Sequence, residues 1–214
     1  MRFRPISPDG LARELGERVA ATEPGRWLRV AVDGAPAARP EDLADAVAAR
    51  VRLRGRDVVR VRAADYLRPA SLRFEHGRTD PDAYYSDWLD LAALSREVLA
   101  PLEPGGSGRV RPVHWDATVD RASRAAPVPV GPGGVALVSG GLLLGAGLAF
   151  DLVVHLSVSP AALARRTPED LLWTLPAFER YAAEVAPELI ADVVVRVDDP
   201  RHPALALLGE PSSR

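Results

Sequence analysis

The chain has 214 residues, of which 47% are hydrophobic and 26% charged, and its formal net charge is −2. These values are typical of a globular protein large enough for one sizeable core, and they give no reason to expect nucleic acid or an anionic membrane as a partner. The absence of cysteine excludes disulfides, a thiol nucleophile and a thiolate metal site. All 27 basic residues are arginine, and asparagine and glutamine are absent, which indicates codon bias in a GC-rich bacterial genome.

No segment has the pattern of a membrane anchor. Met1 is followed by polar residues rather than by the apolar run of a signal peptide. The apolar stretch 135–150 is short for a membrane span and is interrupted by Ser139 and by glycines, so a buried strand followed by a loop explains it better. We therefore expect a cytoplasmic protein that acts on a small molecule.

Alternating strand and helix patterns predict an α/β fold with a mainly parallel sheet, in a single domain spanning residues 1–214. A leading helix is predicted within 1–24, where Leu11, Leu15 and Val19 recur at helical spacing. The further predicted elements are, in chain order, strand 27–32, helix 40–53, strand 57–61, helix 89–102, a strand or hairpin in 109–121, strand 135–138, strand 150–158, a helix from Pro160, short helices divided by Pro168 and Pro176, strand 191–197 and a surface tail 203–214.

The segment 30–48 has the outline of a phosphate-binding strand, loop and helix. A P-loop reads Gly-x-x-x-x-Gly-Lys-Ser/Thr, in which backbone N–H groups wrap phosphate oxygens, the lysine reaches the outer phosphates and the hydroxyl holds magnesium. Counted from Gly34, the last three positions hold Arg39, Pro40 and Glu41. Pro40 has no N–H to donate, and Glu41 brings a negative charge to the helix end where phosphate would sit.

Further segments follow this one in a recognisable order, at 64–69, 80–94, 113–121, 137–141, 164–166, 176–181 and 191–195. Together with 30–34 they make residues 27–207 resemble the uridine kinase family of P-loop kinases, in particular its bacterial uridine kinase-like branch. The resemblance implies a three-layer α/β domain of the P-loop NTPase type. It also implies that the acceptor side lies in 80–94 and 113–121, and that an arginine-bearing lid begins at 164–166.

The departures from the family pattern fall on its chemistry. Pro40 replaces the lysine, and Ala64 stands at the position of the base aspartate, next to Asp65. Ser139 stands where an acidic residue helps to hold magnesium, and Asp120 where the acceptor side has histidine. Losing lysine, base and magnesium ligand together removes positioning and charge neutralisation at once. We therefore expect a degenerate, pseudokinase-like protein that uses no cofactor.

The first group of candidate residues comprises Asp33, Glu41 and Asp42. These acids could line the former phosphate cavity and make it acidic, so that it repels triphosphate and favours an amine. Alternatively, Glu41 and Asp42 stabilise the helix N-terminus and Asp33 is a turn residue. Arg39 could grip an anion or be solvated.

A second group lies on the long loop after the second predicted strand and in the segment beyond it. Carboxylates and a histidine there could transfer protons, and tyrosine and tryptophan faces suit a ring or a cation. Alternatively, the aromatic residues are core packing and the charges are surface pairs. The members of this group are Asp65, Tyr66, Arg68, Arg73, His76, Tyr84, Tyr85, Asp87 and Trp88.

A third group surrounds Trp115. Alternation on a strand would put His114 and Asp116 on one face. This pair is a weak metal signal because no third ligand can be named, so we expect no metal. The arginines that could clamp a phosphate or sulfate, or else be solvated, are Arg165, Arg166 and Arg180.

Three function classes remain open at this stage. The first is a repurposed small-molecule enzyme, in which carboxylates act as acid or base in an intramolecular displacement or elimination on a substrate with an amine and an anionic leaving group. The second is a non-catalytic metabolite sensor or a scaffold for a partner protein. The third is an active nucleoside kinase-like phosphotransferase in which Arg39 substitutes for the lysine. The candidate catalytic residues are Asp33, Glu41, Asp65, His114 and Asp116.

Overall fold

The computed structural model describes residues 1–23 and 25–207. The strands are β1 (Arg4–Pro5), β2 (Leu28–Asp33), β3 (Val58–Arg62), β4 (Arg109–Val110), β5 (Trp115–Asp116), β6 (Arg121–Ala122), β7 (Val128–Pro129), β8 (Val135–Gly140), β9 (Leu152–Ser157), β10 (Val193–Arg196) and β11 (Ala204–Leu207). Seven of them form one sheet in the order β1-β11-β10-β9-β2-β8-β3. The five strands from β10 to β3 are parallel, and β11 and β1 add antiparallel pairs at one side.

The α-helices connect the parallel strands and flank the sheet. They are α1 (Pro8–Ala20), α2 (Pro40–Leu53), α3 (Ala70–Arg73), α4 (Pro81–Ser86), α5 (Leu91–Leu94), α6 (Pro160–Arg166), α7 (Leu175–Glu184) and α8 (Pro187–Ile190). Short 3₁₀ turns lie at Pro36–Ala38, Ala63–Tyr66, Ala100–Leu102 and Glu169–Thr174. Four of the α-helices begin at a side chain that accepts a backbone N–H, as helix N-termini favour. These capping residues are Ser7, Asp80, Asp90 and Ser159.

The central strands β2 and β8 are buried on both faces, which is why they read as continuous apolar runs. Val30 and Leu137 belong to the core on the side of α1 and α2. Ala31 and Val138, one residue further on, belong to the core on the side of α5 and α7. The sheet therefore separates two apolar layers, and its carboxyl edge is open to the loops.

The predicted α/β fold with a mainly parallel sheet is confirmed, and α2 has the predicted bounds. The predicted helix 89–102 is α-helical only over Leu91–Leu94, and it then widens to a π turn at Ser95–Leu99 before the 3₁₀ turn that contains Pro101. The prediction of a surface tail from residue 203 is wrong over β11, because this strand pairs with β10 and buries Leu205. Residues 208–214 lie outside the described residues. Within the described residues, no helix combines the length and the apolar character needed to cross a membrane.

Candidate functional site

Several backbone N–H groups in the loop after β2 are already bonded within the protein. The N–H of Gly34 donates to the carbonyl of Gly140 at 3.0 Å. Within the 3₁₀ turn, the N–H of Ala38 donates to Ala35 at 2.7 Å, and that of Arg39 donates to Pro36 at 2.9 Å. Prolines supply no N–H at positions 36 and 40. Few backbone donors are therefore left to face a phosphate.

Arg39 and Asp42 point away from the inner side of this loop. Arg39 has left-handed backbone angles, φ 60° and ψ 54°, and 65% of its side chain is exposed. Its guanidinium pairs with the carboxylate of Asp42, which is also exposed. The alternative of a solvated Arg39 agrees with this geometry, and an anion held by it would lie at the surface.

Asp33 does not face an open acidic cavity. Its carboxylate is fully buried and accepts hydrogen bonds from the backbone N–H of Leu143 at 3.0 Å and from the hydroxyl of Tyr181 at 3.0 Å. His155 contacts the second oxygen through Nδ1 at 2.7 Å. The three acids Asp33, Glu41 and Asp42 therefore do not line one acidic cavity, because Asp33 is fully buried and Glu41 and Asp42 border two different pockets.

Glu41 lies instead beside a cleft of about 180 Å³ at the carboxyl edge of the sheet. Its lining includes the aromatic residues Tyr84 and Trp88, together with Ala64 and Gly140. Burial raises the pKa of the Tyr84 hydroxyl to about 12, and the negative charge of Glu41 adds to this effect. Trp88 Nε1 is the one fully buried side-chain nitrogen or oxygen in the described residues that has no hydrogen-bond partner. A buried donor without a partner is costly, and Trp88 carries that cost in the wall of the cleft.

The aromatic side of the cleft belongs to a larger cluster. The ring centroid of Tyr84 lies 5.0 Å from that of Trp88, 5.4 Å from Trp173 and 6.0 Å from Phe178. Arg73 is buried and its guanidinium carbon lies 5.2 Å from the centre of the Trp88 ring. Sequence reasoning missed Trp173 and Phe178. Their only signal was aromatic character in a segment divided by prolines.

Asp65 and its neighbours are held in structural contacts. The carboxylate of Asp65 accepts two hydrogen bonds of 2.8 Å from Arg62. The Tyr66 hydroxyl donates to the carbonyl of Arg111 at 2.5 Å, and its ring stacks on His114 with centroids 5.4 Å apart. Burial raises the pKa of the Tyr66 hydroxyl. These residues support the wall behind the cleft rather than its interior.

The group around Trp115 does not form a metal site. Asp116 is exposed and accepts from both the N–H and the hydroxyl of Thr118, and these bonds lower the pKa of its carboxyl. Trp115 Nε1 donates to Asp120 at 3.1 Å. Among the described residues, no three histidines or carboxylates lie close enough together to hold a metal ion. Asp116 therefore stabilises a turn through Thr118 and forms no site together with His114.

The remaining candidates are paired with other protein groups. Arg68 contacts Asp87 at 3.2 Å, and the Tyr85 hydroxyl donates to Glu184 at 3.1 Å. The candidate lid arginines do not converge on one point. Arg166 donates to the carbonyl of Val197 at 2.6 Å, Arg180 pairs with Asp82 and Glu184, and Arg165 is exposed.

Ser139 has become the partner of an arginine. The Ser139 side chain is fully buried, and its hydroxyl lies 3.1 Å from Nη2 of Arg60. Arg60 also donates to the carbonyl of Leu137 and to Asp45, each at 2.7 Å. A guanidinium therefore occupies the neighbourhood of Ser139, where it would oppose a divalent cation.

No protein-family model matches the chain, and no curated protein matches it. Solved structures do match. One described as a possible uridine kinase from Bacillus stearothermophilus has a TM-score of 0.70 and 19% identity, and the match covers 86% of this chain and 96% of that one. One described as a fructose transport system kinase from Silicibacter sp. TM1040 has a TM-score of 0.56 and 23% identity, with 82% and 88% covered. The YGR205w protein matches at a TM-score of 0.56 and 8% identity, with 95% and 99% covered. The chain therefore has the fold of the uridine kinase-like P-loop kinases.

Proposed function

We propose that this protein does not transfer phosphate from ATP, and that its cleft binds a small amine-bearing molecule beside Glu41. The observation that carries the first half is the closed loop at 34–39, in which the N–H groups of Ala38 and Arg39 bond within the loop. Phosphate recognition by such a loop depends on free backbone donors, and on a lysine that the chain lacks.

The surroundings of Ser139 support the same conclusion. Magnesium in phosphoryl transfer bridges the phosphates and is held by hydroxyl and carboxylate oxygens. Here the Ser139 hydroxyl is taken by Arg60, whose side chain is only 16% exposed. A fixed positive charge at this place disfavours a second cation.

The chemistry of the cleft favours an amine. Glu41 offers a carboxylate, and the faces of Tyr84 and Trp88 suit a cation. The ligand class is therefore a small amine. An anionic group on the same molecule finds no support, because the candidate lid arginines are not among the residues that line the cleft.

Glu41 is the carboxylate among the residues that line the cleft, so we assign it the acid or base role on the bound amine. A purely binding role is the second candidate. It is favoured by the contacts of Asp65 and Asp116, which pair with Arg62 and Thr118 and leave Glu41 without a second catalytic carboxylate beside it.

Calorimetric titration with ATP and magnesium tests the first half of the proposal. We expect no heat of binding at nucleotide concentrations up to about 1 mM, where a Kd of 1 mM corresponds to about −4 kcal/mol. Saturable binding in the micromolar range would show that the loop opens, and it would support a phosphotransferase instead.

The second half is tested with 2-aminoethanol, a small amine that offers an ammonium to Glu41. In ¹⁵N NMR spectra we expect the Trp88 indole N–H signal to shift on titration, with weak affinity because the molecule is small. Ethylene glycol, which lacks the ammonium, should cause a much smaller shift. The response should be lost in Glu41→Gln and kept in Asp42→Asn, whose carboxylate pairs with Arg39 outside the cleft. An equal response in both variants contradicts the assignment.

A further inference from the structure

Asp33 and His155 lie side by side at the carboxyl ends of neighbouring parallel strands, where α/β proteins commonly place their sites. They are register partners on β2 and β9, and His155 Nδ1 lies 2.7 Å from Asp33 Oδ2. Asp33 is fully buried and His155 is 8% exposed. The pair is therefore fixed by the sheet itself rather than by a loop.

The hydrogen bonds determine where the protons are. The Tyr181 hydroxyl accepts the N–H of Leu144 at 3.0 Å, so its own proton goes to Asp33. Burial and the Asp33 charge raise the pKa of Tyr181, which keeps that proton in place. Asp33 thus accepts from Tyr181 and from the N–H of Leu143, and it orients the Nδ1–H of His155 toward itself. In this tautomer Nε2 carries a free electron pair.

His155 lines a cavity of about 330 Å³, and Nε2 is the ring nitrogen that Asp33 leaves available to it. Nε2 has no hydrogen-bond partner within the described part of the chain. The lining is mostly apolar and includes Phe178, Leu163 and Ala182. Its polar groups are few, and the carboxylate among them belongs to Glu188. This carboxylate accepts a hydrogen bond from the hydroxyl of Ser157. A cavity of this size, apolar with a few convergent polar groups, is typical of a small-molecule site.

We propose that His155 is a general base in this cavity, with Asp33 and Tyr181 as its positioning residues, and that it activates the O–H group of a water or a small alcohol beside a largely apolar ligand. The O–H bond breaks, its proton passes to Nε2, and its electron pair stays on the oxygen, which becomes the nucleophile. The imidazolium that forms is balanced by the Asp33 carboxylate. This cavity shares no lining residue with the Glu41 cleft, and the proposal does not depend on the function proposed for that cleft.

Hydrolysis of p-nitrophenyl acetate by the purified protein tests the proposal. Water gives its proton to Nε2, its oxygen bonds to the acetyl carbon, and the bond to p-nitrophenolate breaks; release of the proton to solvent restores the base. We expect the rate to fall about 10-fold or more in His155→Gln, in line with the usual contribution of a general base. His202→Gln is the matched control, because His202 contacts Asp199 at 2.9 Å in the same way but is exposed. That variant should keep the rate.

Two further measurements keep the proposal falsifiable if His155→Gln fails to fold. Ala182→Trp fills the cavity from α7, replaces no member of the Asp33–His155–Tyr181 network and should also abolish the rate, whereas Ala183→Trp, exposed on the same helix and outside the lining, should not. Long-range ¹⁵N NMR should show the His155 proton on Nδ1. A folded His155→Gln protein with an unchanged rate, equal rates in the two tryptophan variants, or a proton on Nε2 would each overturn the assignment.

Discussion

Tyr181 and Tyr84 differ in how far their hydroxyl groups take part in hydrogen bonds within the protein. The hydroxyl of Tyr181 accepts from Leu144 and donates to the buried carboxylate of Asp33. The hydroxyl of Tyr84 borders the cleft and has no hydrogen-bond partner within residues 1–23 and 25–207. Burial raises the pKa of both, yet only the first hydroxyl satisfies other buried groups.

Replacement of each tyrosine by phenylalanine removes the oxygen and keeps the ring. Tyr181→Phe leaves the N–H of Leu144 unsatisfied and takes a donor from Asp33, so we expect the free energy of unfolding to fall by about 2 kcal/mol or more. Tyr84→Phe should change it by no more than about 0.5 kcal/mol. Guanidinium unfolding of both variants measures the difference. Equal losses would show that the Asp33 network contributes no more to stability than the unpaired hydroxyl of Tyr84.

The sequence alone indicated Glu41, Tyr84 and Trp88 of the cleft. Of the Asp33 network it indicated Asp33 but not His155 or Tyr181. Glu41, Tyr84 and Trp88 stand in segments whose charge and aromatic content attract notice in the sequence alone. His155 is 122 residues from Asp33 and Tyr181 is 148 residues from it, so their contact depends on strand order and register. The only local signal was a histidine inside the apolar run of β9.

At the scale of elements, the turn between β2 and α2 stores backbone strain at Arg39. The residue has φ 60° and ψ 54°, a left-handed conformation that costs a side-chain-bearing residue about 1–2 kcal/mol. Its guanidinium gains an exposed ion pair with Asp42, which is worth little. The phosphate-loop pattern has glycine at this position, and the backbone here still has the form that glycine prefers.

Arg39→Gly should therefore raise the free energy of unfolding by about 0.5–1 kcal/mol, because relief of the left-handed strain outweighs the extra freedom of glycine in the unfolded chain. Thermal unfolding followed by circular dichroism measures the change. Ala49→Gly, at an exposed position inside α2, is the control and should lower stability by about 1 kcal/mol. A loss of stability in Arg39→Gly would mean that the Asp42 pair outweighs the strain.

Helices and strands with a clear local signal could be predicted from simple sequence patterns. β2 and β8 were predictable because both of their faces are buried, and α2 because Pro40 fixes its first turn. β11 was missed because four residues of apolar character look the same on a surface and in a sheet; the pairing with β10 that buries Leu205 is not local information. The irregular end of the predicted helix 89–102 depends in the same way on packing.

At the scale of the whole molecule, Asp151 joins the central strand to the segment that leads into β9. It accepts the backbone N–H and Nε of Arg29, each at 2.9 Å, and a third bond of 3.0 Å from the same guanidinium. Arg26 contacts it at 2.9 Å. Burial acts to raise the pKa of Asp151, but the hydrogen bonds from Arg29 outweigh it, and the pKa lies below its ordinary value.

This shift fixes the sign of the pH dependence. The folded pKa of Asp151 lies below the unfolded value of about 3.9, so its contribution to stability is complete above about pH 5 and is lost as pH falls through the folded pKa. Unfolding free energies measured between pH 6 and 2 should therefore decline on acidification, and the decline should be shallower in Asp151→Asn.

Asp199→Asn is the control. The pKa of Asp199 lies near 2, but its partners, Arg201 and His202, are adjacent in sequence and the carboxylate is exposed. Because such local contacts also form in the unfolded chain, that variant should keep the full decline. A slope unchanged in Asp151→Asn would mean that the Arg29 pair does not govern the acid response of the fold.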